Sequence, residues 1–108
     1  MEFQRQTIRE NLIENGWKIT ELEKSELDWW ASEMWLIESV WSPIGATAYI
    51  TFLFEPMDAK EVWDIAASSK KLENRHDTAN SFYLNIKSSG WKKSLPEFMK
   101  SISELRNL

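Results

Sequence analysis

The chain has 108 residues, 43% of them hydrophobic and 28% charged, with a formal net charge of −4 and no cysteine. That length supports one core, so residues 1–108 are expected to form a single domain of ordinary globular composition. The lack of cysteine removes disulfides, thiolate nucleophiles, Cys-ligated zinc and iron–sulfur clusters together. The opening stretch MEFQRQTIRENLIENG is too polar for a secretory signal. No segment has the apolar length needed to cross a bilayer. The expectation is a cytoplasmic protein with no membrane partner.

Charge is unevenly spread. Residues 1–58 hold 4 Lys/Arg and 11 Asp/Glu, and residues 59–108 hold 9 and 6. Phosphate binding rests on clustered Lys and Arg, so the acidic first half argues against nucleic acid as a partner. The asymmetry suits charge-complementary association, including with another copy of the chain. Ordinary solvated surface explains it equally.

Residues 3–15 read as a helix, with Ile8 and Leu12 on its apolar stripe and Phe3 or Ile13 beside them. Asn15-Gly16 supplies the stop, because glycine tolerates a left-handed backbone. Residues 17–23 read as a strand with Trp17, Ile19 and Glu21 on one face. Glu21, Glu23, Glu26 and Asp28 follow as an acidic turn or short helical bridge. Residues 33–41 read as a central strand, apolar on both faces, with Trp35, Ile37 and Trp41 on one and Met34, Leu36 and Val40 on the other. Ser42-Pro43-Ile44-Gly45 reads as a tight connection. Residues 46–55 place Ala46, Ala48, Ile50, Phe52 and Phe54 on one apolar face and should pair with 33–41 as an antiparallel hairpin.

Residues 58–71 admit two readings. Asp58 and Glu61 have capping-box spacing and Lys70-Lys71 suit a helix C-terminus. Yet Trp63, Ile65 and Ala67 alternate with Asp64, Ala66 and Ser68, as in a strand. Residues 72–80 read as loop and 81–88 as an edge strand with Phe82, Leu84 and Ile86 on one face. A final amphipathic helix carries Leu95, Phe98, Met99, Ile102 and Leu105 on one stripe, with Ser94 and Glu97 as its capping box and Pro96 in its first turn.

The fold class is therefore α+β: an antiparallel meander of four to five strands, with N-terminal and C-terminal helices packed on one face. Ile50, Phe52 and Phe54 mark the covered face. With a helix at 58–71, the element order resembles that of small acidic secretion chaperones, in order alone; no residue is carried over from it.

No motif carries a recognisable chemistry. Gly16, Gly45 and Gly90 are isolated at element ends, which excludes a phosphate loop, and a single histidine makes a zinc site improbable. No cofactor and no metal are expected. His76-Asp77 lacks a nucleophile and an oxyanion hole, and reads as a polar loop. Among the carboxylates Glu21, Glu23, Glu26, Asp28, Glu33 and Glu38, only Glu38 stands inside an apolar strand as a general-acid or general-base candidate.

The surplus aromatics point elsewhere. Trp29-Trp30 cannot both enter one core from a strand or a helix. Trp is enriched at interface hot spots, so Trp29, Trp30, Trp35, Trp41 and Tyr49 are the candidate binding residues. The second sheet face, with Met34, Leu36, Val40, Tyr49 and Leu53, is expected to lack cover. A non-enzymatic protein-interaction module is the leading expectation, of adaptor, chaperone-like or inhibitor type, with a protein partner or self-association. A small-ligand binder with an aromatic pocket between sheet and helices, and an enzyme using an isolated carboxylate, are the alternatives.

Overall fold

In a computed structural model, which describes residues 2–21, 31–55, 58–72, 81–87 and 89–107, the alternation of apolar residues becomes a five-stranded antiparallel meander. Helix α1 spans Glu2–Glu14, and the strands are β1 (Trp17–Glu21), β2 (Ala31–Ser39), β3 (Thr47–Glu55), β4 (Asp58–Ser68) and β5 (Ser81–Asn85). Helix α2 (Trp91–Glu104) runs on into a 3-10 turn at Leu105–Asn107. Each strand pairs with the next, so β1 and β5 are the outer strands of the sheet.

Residues 58–68 are strand. The alternation of Ile65 and Ala67 with Asp64, Ala66 and Ser68 outweighs the helix-start signal at Asp58, because β3 offers a complete partner: Ile50 faces Ala67 and Phe52 faces Ile65 across the ladder. With that strand in place, the element order differs from the chaperone-like one.

Both helices pack on one face. Ile8 and Leu12 of α1 and Leu95, Phe98, Met99 and Ile102 of α2 share a buried cluster with Trp17, Trp35, Ile37, Ile50, Phe52 and Ile65. Fully burying a side chain of this size contributes roughly 1.5–3 kcal/mol. The opposite face is better covered than expected. Met34, Thr51, Leu53 and Ala66 are buried, with Ala31, Leu53, Ala66 and Leu72 forming a second small cluster. Leu36 and Tyr49 are half-buried there.

Several boundaries shift. β2 ends at Ser39, so Val40 and Trp41 belong to the connection and not to the sheet faces. α2 begins at Trp91 with Gly90 as its cap residue and no side-chain cap, so Ser94 does not cap it and Pro96 lies inside the helix. There proline lacks the N–H that would bond the carbonyl one turn back. The strand expected over 81–88 ends at Asn85. The acidic stretch 22–30 and most of the 72–80 loop lie outside the described residues.

Candidate interaction surface

Where α1 ends, the chain must turn sharply into β1. Gly16 does this at φ 81°, in the left-handed region that side chains disfavour. Its amide donates to the Ile13 carbonyl at 3.1 Å, and its own carbonyl accepts from the Val40 amide at 2.8 Å. This ties the end of α1 to the β2–β3 connection. A Cβ on Gly16 would stand 2.3–2.5 Å from carbons of the Trp41 ring, so the indole lies directly against bare backbone.

Arg106 holds the same ring from the C-terminal 3-10 turn. Its guanidinium carbon sits 4.3 Å from the Trp17 ring centroid and 5.1 Å from that of Trp41. Its Nε donates to Ser39 Oγ at 2.8 Å, and its Nη2 donates to the Asn15 carbonyl. Ser39 Oγ also accepts from the Trp41 amide at 3.2 Å and donates to the Trp41 carbonyl at 2.8 Å. The partners of the Arg106 cation among the described residues are neutral. Desolvation by burial therefore pulls the Arg106 pKa below its ordinary value, although guanidinium keeps its charge. Trp17 Nε1 is buried here without a hydrogen-bond partner among the described residues.

What this scaffold presents is apolar. Trp41 remains 51% exposed, Val40 53%, Ile44 80% and Ile13 59%. Val40, Trp41 and Ile44 stand on one connection, and Ile13 lies in the last turn of the helix bound to it. Glu10, Glu14 and Glu38 are exposed on the elements that lead into this pole, against Lys18 as the exposed base.

The other candidates are placed differently. Trp35 is fully buried and out of reach of a surface partner. Its ring tilts against Phe52 at 4.7 Å between centroids, with Arg9 4.9 Å above it. Tyr49 is half-buried on the opposite sheet face, and Trp29, Trp30 and His76-Asp77 lie outside the described residues. The structure thus leaves Trp41 away from Trp35 and Tyr49.

Glu38 is exposed, opposite Lys18 and Thr47 in the ladder, so it is not the carboxylate held among apolar neighbours. That carboxylate is Glu33, only 2% exposed. Its Oε1 accepts from Arg5 Nε at 2.8 Å and lies 2.7 Å from Arg5 Nη2, while its Oε2 accepts from Trp35 Nε1 at 2.9 Å. Both oxygens are engaged, and the group serves to anchor α1 to β2. Parity distinguishes the two: Glu33 shares the face of Trp35 and Ile37, and Glu38 that of Met34 and Leu36.

A groove of about 560 Å³ runs between β5 and α2, lined by Phe82, Leu84 and Phe98 with Lys93, Ser94 and Glu97 at its mouth. No tryptophan lines it. No cluster of His, Cys, Asp or Glu among the described residues could hold a metal ion, and no helix is long and apolar enough to cross a membrane. No protein-family model matches the chain, and no curated protein or solved structure matches it either.

Proposed function

We propose that this chain is a non-enzymatic protein-interaction module, working in the cytoplasm, that docks a partner protein through the pole built on Trp41. The observation that carries the reading is a half-exposed indole fixed on two sides, by Gly16 and by Arg106, on a connection that also exposes Val40 and Ile44. A large rigid aromatic that is already ordered loses little conformational freedom on binding, which is why such side chains dominate interface energetics. The acidic approaches at Glu10, Glu14 and Glu38 favour a partner whose contact site has an apolar pocket and a basic rim.

Crosslinking in native lysate, followed by binding measurements with the purified partner, tests this. The wild-type chain should capture a protein that Trp41→Ala loses, with affinity reduced by roughly thirtyfold or more. Equal binding by both proteins would reject the pole as the docking site.

A further inference from the structure

We propose that Asn15 is a site of spontaneous covalent modification, in which its side-chain amide cyclises onto the Gly16 main-chain nitrogen and opens to aspartate and isoaspartate, and that the folded pole holds this reaction back until Gly16 is released. This chemistry goes beyond docking and is independent of whether the pole binds a partner.

Asn15-Gly16 brings together the two residue types that the reaction needs. Asparagine is a thermolabile side chain, and the glycine after it has no Cβ to obstruct ring closure. The Gly16 nitrogen, once base has taken its proton, attacks the Asn15 side-chain carbonyl carbon. A cyclic imide closes, and the side-chain nitrogen leaves as ammonia. Water then opens the imide at either carbonyl. Opening at the former side-chain carbonyl gives aspartate with the main chain intact. Opening at the main-chain carbonyl breaks the original peptide bond and gives isoaspartate, whose chain runs through the former side chain. One water is consumed and one ammonia released, with no change of oxidation state.

In the folded chain the reacting atoms are held elsewhere. The Gly16 amide donates to the Ile13 carbonyl at 3.1 Å, and the Gly16 carbonyl accepts from the Val40 amide at 2.8 Å. Asn15 Nδ2 donates to the Asn11 carbonyl at 2.7 Å. Arg106 Nη2 fixes the Asn15 main-chain carbonyl, and the Trp41 ring lies against Gly16. Ring closure needs the Gly16 nitrogen to leave Ile13 and the Asn15 amide to swing off Asn11 toward it. These bonds must open together, so the rate follows the share of molecules in which this junction is locally open.

Neither product restores the junction. Aspartate places a carboxylate where Nδ2 donated to the Asn11 carbonyl, so two acceptors meet. Isoaspartate adds a methylene to the main chain between α1 and Gly16, and it turns the carbonyl that Arg106 holds into a free carboxylate. Both disturb the backbone on which Trp41 rests, so a transient opening becomes a permanent one.

Mass spectrometry of the tryptic peptide Glu10–Lys18, which contains both Asn11 and Asn15, reads the reaction, and enzymatic methylation of isoaspartate distinguishes the products. At mildly alkaline pH Asn15 should convert, while Asn11, followed by Leu12, stays intact. The chain unfolded in guanidinium chloride should convert about tenfold faster or more than the folded chain. Arg106→Gln releases the Asn15 carbonyl and should speed conversion roughly threefold to fivefold under folding conditions. Denaturant just below the unfolding transition gives the same comparison should that variant fold poorly. Asn15→Asp reproduces one product and should show a red-shifted, less polarised tryptophan emission. An Asn15 that stays intact in the unfolded chain overturns the reaction. Equal rates in folded and unfolded chains overturn the hold exerted by the pole. Unchanged emission in both Asn15→Asp and the purified isoaspartate product overturns the consequence for Trp41.

Discussion

Two arginine–tryptophan assemblies stand among the described residues, and they resolve the same problem in opposite ways. At the sheet centre Arg5 pairs with Glu33, whose second oxygen takes the Trp35 indole, and everything except the arginine is withdrawn from water. At the pole Arg106 has no carboxylate partner among the described residues. It lies against Trp17 and Trp41 and gives its hydrogen bonds to a serine hydroxyl and a main-chain carbonyl. The first closes on itself and leaves nothing to offer. The second uses the cation to order an indole that stays half in solvent. Aromatic content alone therefore does not mark a binding surface; what matters is whether the polar groups around the ring are used up inside the fold.

The largest effect should come from breaking the closed assembly. Glu33→Gln keeps the volume but removes the buried carboxylate charge that faces Arg5, and removing one member of a buried pair is costly. Because Arg5 retains some solvent contact, the expected loss is about 2–3 kcal/mol in chemical denaturation, with partner binding unchanged when measured below the unfolding transition. If Glu33→Gln were neutral, the contrast between the two assemblies would collapse.

Gly16→Ala comes next and attacks the pole through its backbone. The residue sits at positive φ, and the new methyl would overlap the Trp41 ring. Left-handed strain and overpacking together should cost about 2 kcal/mol. Unlike Glu33→Gln, this change should also release Trp41, seen as a red-shifted and less polarised tryptophan emission. An unchanged spectrum would mean that Gly16 does not order the ring.

These two sites also show what could be read from the residues alone. Four of the strands, the two flanking helices and the inward face of β3 follow from periodicity, because Ile50 and Phe52 need burial on one side. The strand at 58–68 was ambiguous because propensity and spacing favoured different structures there, and only the neighbouring strand decides between them. Glu33 was legible in principle from its parity with Trp35 and Ile37, yet the residue drawing attention was Glu38, which the pleat turns outward. Trp41 shares a face with Trp35 and Ile37 only when the alternation is extended two residues past the end of β2. Arg106 was invisible to any local pattern. Its partners Ser39 and Asn15 lie 67 and 91 residues away in sequence, and no spacing rule spans that distance.

Arg106→Gln should have a smaller effect on stability, because the substitution removes a cation from neutral surroundings and so relieves its desolvation while losing two stacked contacts and two hydrogen bonds. Cation–aromatic contacts contribute roughly 0.5–2 kcal/mol each, so a net loss of about 1 kcal/mol is expected. The more telling readout is Trp41 mobility, which should rise as in Gly16→Ala without the backbone strain.

Trp41→Ala should have the smallest effect on the fold and the largest on association. Its ring is half in water and rests on glycine, so its removal uncovers little core and should change stability by no more than about 1 kcal/mol. A residue that contributes so little to its own fold, yet is held by a glycine at positive φ and by a buried cation, is maintained at the expense of stability elsewhere: the Trp17 indole N–H already lies buried without an acceptor among the described residues. Thermal denaturation of Trp41→Ala measures that balance. A midpoint close to wild type, with binding lost, would assign the ring to recognition. A large drop would place Trp41 with Trp35 as a structural aromatic and erase the distinction between the two assemblies.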